Sequence, residues 1–143
     1  MKSQKSIRER IRAVIIDNGK LLTIKRVRPT RTYWTFPGGS TERDEGHKEA
    51  LKRECEEELG LGVSVGELLF DFIIEEPDII SHQYWYRCNI ISGELGMGHG
   101  PEFQKDKGYE GTHEIEWISL KEISNLNLLP LVARDAILKK IKI

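Results

Sequence analysis

The sequence predicts an α/β fold, a mixed β-sheet covered by helices, and three observations predict it. Asn18-Gly19 separates two aliphatic, β-branched runs, "IRAVIID" and "KLLTIKRV", as the turn of a hairpin does. A strongly helical segment follows Gly38-Gly39 and stops at Gly60 or Gly62. Further strand-like runs then lie between that segment and a last helix led by Pro130.

Element by element, Asn-Gly supplies the positive φ angles of a type I′ turn, so residues 11–27 form the hairpin. "RPTRTYWTFPGGS" reads as a loop with a short extended piece near Trp34 to Phe36, and the helix opens after the glycine turn. Residues 63–76 and 80–91 read as strands around a Pro77-Asp78 turn. Residues 92–112 are glycine-rich and read as a long loop, a feature usually tied to function. "HEIEWISL" alternates as a strand. Ser119 and Glu122 have capping-box spacing ahead of a short helix. Pro130 suits the first turn of the last helix.

A chain of 143 residues suits a single domain, 1–143, in which residues 1–6 read as a disordered start. The formal net charge of −1 argues against a nucleic-acid partner, which would demand a basic excess. No apolar run approaches a membrane span or a signal core, so a cytoplasmic protein with no membrane partner is expected. Cys55 and Cys88 have no metal-ligand spacing and read as buried, reduced thiols.

The helix carries the chemistry. With Glu54 at 0° and about 100° per residue, Glu58 falls near 40° and Glu57 near 300°, a single fan of carboxylates. Leu51, Cys55 and Leu59 fall near 60°, 100° and 140°, so the apolar stripe lies beside the fan, while Glu49, Lys52 and Glu56 face away. Arg53 lies near 260°, at the flank of the fan. A solvated face usually interleaves Lys with Glu, and this fan contains no Lys. Its partner is therefore expected from elsewhere. Three carboxylates at a core boundary suit a hard cation such as Mg²⁺; the lack of His and Cys on that face disfavours Zn²⁺. Gly38-Gly39 can bring bare backbone close to a ligand.

These residues resemble the box of the Nudix family, G-x5-E-x7-R-E-U-x-E-E-x-G-U, with U a bulky aliphatic residue. Gly39, Glu45, Arg53, Glu54, Glu57, Glu58 and Gly60 match it, and Cys55 is the one departure, at the first U. The resemblance implies an α/β/α sandwich and hydrolysis of a nucleoside diphosphate linked to another group. It implies that Glu54, Glu57 and Glu58, often with the backbone carbonyl of Gly38, hold Mg²⁺ or Mn²⁺. It implies that Arg53 orients the glutamates and that Glu45 supports loop and helix. Family members are often dimers, so a homodimer is among the expectations.

Glu54 is the first candidate for the base that takes a proton from the attacking water, with Arg53, Glu57 and Glu58 completing the catalytic group. In such proteins the base or a further ligand often lies outside the box, and Glu110, Glu114 and Glu102 are the candidates. Arg26, Arg28 and Arg31 are candidates for phosphate contacts, Trp34 and Tyr84 for stacking a base. The expected substrate is a small-molecule nucleotide, a (d)NTP or modified NTP. The alternatives are an ADP-ribose or sugar-nucleotide pyrophosphatase and a nucleotide-sensing module without catalysis. Intact box glutamates disfavour the sensor, and balanced charge disfavours an RNA-end enzyme.

Overall fold

The computed structural model describes residues 7–95 and 112–141. Strand β1 (Ile7–Asp17) and β2 (Lys20–Val27) form the hairpin, with Asn18 and Gly19 at φ 51° and 73°, as the type I′ turn requires. Then come β3 (Thr32–Thr35), β4 (Gly38–Ser40), helix α1 (His47–Leu59), β5 (Leu61–Glu75), β6 (Ile80–Gly93) and β7 (Thr112–Ser119). A 3₁₀ segment (Leu120–Asn125), β8 (Leu128–Leu129) and helix α2 (Leu131–Lys140) close the described chain. The order β5-β6-β1-β2-β3-β8, with β4 on β1 and β7 on β2, is mixed: β1–β6 and β3–β8 are parallel and the other pairs antiparallel.

Strand β1 joins the two halves of this sheet. Its last residues, Ile16 and Asp17, pair with β2, whereas Arg10 to Arg12 pair with β4 on that same side. Beyond the turn β2 leaves β1 and takes β3 and β7 as neighbours. The sheet splits there, and a cleft opens between the halves. Helix α1 covers one side, on Ile11, Ala13, Ile15, Leu22, Ile24 and Cys88. Helix α2 covers the other, where Ala133 and Ile137 join Val14, Phe36, Trp85 and Leu128.

The helical wheel describes α1 closely: Leu51, Cys55 and Leu59 are fully buried, and Lys52 and Glu56 are exposed. Gly60, left-handed at φ 76°, ends it and returns its N–H to Cys55 and Glu56. Both cysteines are buried thiols, and loss of solvation pushes Cys88 up to about 12.

Three boundaries differ from the sequence reading. The glycine pair is a strand and not a turn, because Gly38, Gly39 and Ser40 pair with Arg12, Ile11 and Arg10. The helix consequently starts later, at His47, after an intervening loop with Asp44 at φ 62°. The element after Ser119 is 3₁₀ rather than α, with the Ser119 hydroxyl accepting from the Lys121 N–H. Most of the 92–112 loop, with Glu102 and Glu110, lies outside the described residues, as do residues 1–6.

Gly38 has φ 137°, and a Cβ there would run into the carbonyl oxygen of Ile11. Gly19 also has positive φ but faces open space. Gly38→Ala should therefore cost about 3 kcal/mol, positive-φ strain plus overpacking, and Gly19→Ala only about 1 kcal/mol. Urea unfolding midpoints of the two variants check the order.

Candidate active site

The site is built around Arg53. Its Nε and one terminal nitrogen donate to both oxygens of Glu45, at 2.8 and 3.0 Å. The same terminal nitrogen donates to the Ser40 carbonyl at 3.2 Å, tying α1 to β4. The other terminal nitrogen donates to Glu54 at 3.0 Å and Glu57 at 3.2 Å, and lies 3.5 Å from Glu42. Glu45 also accepts from the Glu42 N–H at 2.9 Å, which closes the loop ahead of the helix. Hydrogen bonding to Arg53 is the main reason the Glu45 carboxyl lies below its ordinary pKa. The same bond raises Arg53.

Glu58 is treated differently. It is 5% exposed, and Oε1 accepts from the Gly38 N–H at 2.7 Å. Its Oε2 lies 3.8 Å from the Arg26 guanidinium. Gly39 lacks a side chain where the Glu54 carboxylate sits: a Cβ there would lie 2.7 Å from it. The two glycines thus let two glutamates of α1 press against bare backbone.

The sequence reading left the fan of Glu54, Glu57 and Glu58 without a partner of its own. The structure corrects this: Arg53, on the flank, reaches Glu54 and Glu57, and Gly38 and Arg26 reach Glu58. One guanidinium serves Glu42, Glu45, Glu54 and Glu57 together. Among the described residues no three acidic, His or Cys side chains are drawn tightly enough to hold an ion as they stand. The donor set itself fits one. It is all carboxylate oxygen and rises from neighbouring turns of one helix, which suits a hard divalent cation.

Beside these glutamates lies a cleft of about 700 Å³. Glu54, Glu58, Gly38, Gly39 and Ser40 line one side, and Arg10, Arg12, Arg26 and Arg31 also line it. Arg12 is partly buried, and loss of solvation, helped by neighbouring Arg10 and Arg26 and opposed by Glu58, brings it down to about 10. Tyr33, Ile74, Leu129, Pro130 and Leu131 supply a less polar stretch of wall. Arg31 lies over the Tyr33 ring at 4.4 Å.

Of the residues picked from sequence, Arg26, Arg31, Gly38, Glu54 and Glu58 line the cleft. Arg53, absent from its lining, donates to both Glu54 and Glu57 and so ties them together. Four picks lie elsewhere. Arg28 donates to the Val27 carbonyl beside it. Trp34 packs on the core under α2, with Lys25 over its ring, because strand alternation gives the cleft to Tyr33. Tyr84 stacks between His47 and His82 on the α1 side of β6. Glu114 is exposed and pairs opposite Lys25, on the face away from Arg26 and Tyr33.

Arg10, Arg12, Gln83 and Tyr33 were missed. Their signal was charge at alternate positions of "RERIR", but its meaning depends on the parallel pairing of β1 with β6, which periodicity does not reveal.

The sequence profile of the NUDIX domain matches residues 7–139. The chain belongs to the Nudix family. It is a hydrolase of that family, whose members generally use divalent metal cations. The CTP pyrophosphohydrolase of Escherichia coli K12 is 32% identical over 126 residues, covering 85% of this chain and 83% of that protein. The 8-oxo-dGTP diphosphatase of Haemophilus influenzae is 41% identical over 67 residues, 47% of this chain and 49% of its own length. Among solved structures, the MutT Nudix hydrolase from Burkholderia pseudomallei superposes with a TM-score of 0.72 at 25% identity, over 96% of this chain and 100% of its own. The MutT protein from Methanosarcina mazei gives 0.75 at 22% identity, over 96% and 95%, a likeness of fold. This Nudix chain therefore has the α/β/α arrangement implied by its box. Among the described residues no helix is long and apolar enough to cross a membrane.

The Glu45–Arg53 bond makes this scaffold sensitive to acid. A carboxyl with a depressed folded pKa contributes stability above its unfolded pKa and loses it as pH falls through the folded value. Glu45→Gln should cost about 2 kcal/mol at neutral pH. The gap between variant and parent should close as pH drops below the ordinary carboxylate range. Urea titrations at stepped pH values measure that gap.

Proposed function

We propose that this Nudix hydrolase is a Mg²⁺-dependent pyrophosphohydrolase of free nucleotides, a (d)NTP or modified NTP being the preferred substrate class. The observation that carries the reading is the polarity of the cleft: Arg12 and Arg26 stand beside Glu54 and Glu58 in one depression. Guanidinium groups take phosphate oxygens through paired N–H donors, and the carboxylates take the cation that travels with them. The relatives named for CTP and 8-oxo-dGTP support the triphosphate class.

Glu54, Glu57 and Glu58 would hold the ion, with the Gly38 carbonyl as a further oxygen. A bound divalent cation would polarise the attacked phosphorus and lower the pKa of a nearby water. Arg26 orients the phosphate chain and is kept in place by Thr35, whose hydroxyl accepts from its Nε at 3.3 Å. Glu54, against Gly39 at the cleft wall, is the candidate to take the proton from the attacking water. Arg53 holds the orientation of Glu54 and Glu57.

A panel of NTPs, oxidised dNTPs, ADP-ribose and sugar nucleotides with Mg²⁺, read by released phosphate or pyrophosphate, tests the substrate class. A triphosphate should be preferred; ADP-ribose as the best substrate would move the assignment to the sugar-nucleotide pyrophosphatases. Tight nucleotide binding with no turnover would identify a sensor. Glu57→Gln and Glu58→Gln should each slow turnover by about 10²-fold or more and weaken Mg²⁺ uptake. Unchanged turnover in both would remove the metal role from α1.

A further inference from the structure

Gln83 is a buried polar residue that the scheme above does not use. It lies on β6 with 3% exposure, next to the 1% exposed Ser81. Its Oε1 accepts from the Arg12 Nε at 3.2 Å, and its Nε2 donates to the Ser81 hydroxyl at 3.0 Å. Arginine has donors only, so the amide must turn its oxygen toward Arg12. Parallel pairing sets Gln83 opposite Arg10 and Trp85 opposite Arg12, so the amide reaches diagonally along β1.

A glutamate at 83 would have the same length and accept the same hydrogen bond. It would also neutralise Arg12. The amide fixes the guanidinium and leaves its charge in the cleft. Glu58, the acid that acts most strongly on Arg12, does so through its charge, with one oxygen on the Gly38 N–H. Arg10 adds an independent sign. It lines the same cleft two residues along β1, and its Nε is buried without a hydrogen-bond partner among the described residues. Two guanidiniums on one strand face repel unless an anion lies between or beside them.

We propose that Arg10 and Arg12 form a paired-guanidinium seat for the phosphate chain of the substrate, and that Gln83 is the positioning residue that aims Arg12 without neutralising it. The proposal rests on the nucleotide reading above. It assigns to the β1–β6 floor a task that the α1 box does not perform.

The test uses inorganic tripolyphosphate with Mg²⁺, bound to the full chain and followed by calorimetry, alongside KM and kcat on the best nucleotide. Gln83→Glu should weaken tripolyphosphate about tenfold and raise KM by a similar factor, with the smaller change in kcat. Gln83→Met, which loses the hydrogen bond but adds no charge, should be the milder variant. A purely structural role predicts the reverse order, since glutamate keeps the bond. Gln83→Glu binding as tightly as the parent, or Gln83→Met being the worse of the two, overturns the proposal. If the Gln83→Glu chain does not fold by its urea transition, Arg10→Gln decides: about tenfold weaker tripolyphosphate supports the seat, and unchanged affinity removes it. Should no nucleotide be turned over while tripolyphosphate binds and weakens as described, the nucleotide reading fails and the seat stands. Nucleotide turnover with both affinities unmoved by Gln83→Glu has the opposite meaning.

Discussion

The five donors of Arg53 are the constraint on which the active-site region depends. One guanidinium closes the loop before α1 through Glu45, fastens α1 to β4 through the Ser40 carbonyl, and gathers Glu54 and Glu57. Lysine could not replace it, because a single ammonium cannot address partners in three directions with planar, paired geometry. The side chain is about a quarter exposed, at 24%, so these bonds are only partly screened by water. That environment lets a row of like charges stand on one helix without unwinding it.

The glycine pair converts this electrostatic hub into a site. Gly38 turns its N–H to Glu58, and Gly39 leaves room for the Glu54 carboxylate. Both lie on β4, which pairs with β1 at Arg10 to Arg12. The short strand therefore places the acids of α1 and the bases of β1 on either side of itself. The divergence of β2 from β1 beyond their turn opens the space between, and brings Arg26 to within 3.8 Å of Glu58. The cleft opens at the seam between two half-sheets, where the brief β4 insertion pairs with β1.

Local signals were the readable ones. Asn18-Gly19 specified its turn, and the wheel placed Leu51, Cys55 and Leu59 inward because a helix face depends only on spacing. The box residues identified the family because Arg53, Glu54, Glu57 and Glu58 recur in fixed register. What failed involved partners distant in sequence. The wheel put Arg53 at the flank and could not show how far a flexible guanidinium reaches. Trp34 looked like the stacking residue, yet the face of β3 that meets the cleft is set by pairing with β2 and β8, and it carries Tyr33. Arg12 and Gln83 are 71 residues apart and meet only because β1 runs parallel to β6.

Bulk charge hid the feature that matters most for recognition. The formal net charge is −1, yet around the cleft the charges are largely sorted: acids on α1 and its preceding loop, with Glu76 beyond β5, and arginines on β1, β2 and the loop before β3. Sorting of this kind is costly in isolation, since Arg10, Arg12 and Arg26 repel one another, as do Glu54, Glu57 and Glu58. Across the seam Arg26 and Glu58 stand 3.8 Å apart, and the hydrogen bond that holds Arg12 comes from a neutral amide. A ligand that relieves both sides must itself be sorted, with a cationic part toward α1 and an anionic part toward β1. A polyphosphate carrying its divalent ion has that form, whereas a simple anion would satisfy the arginines and aggravate the glutamates.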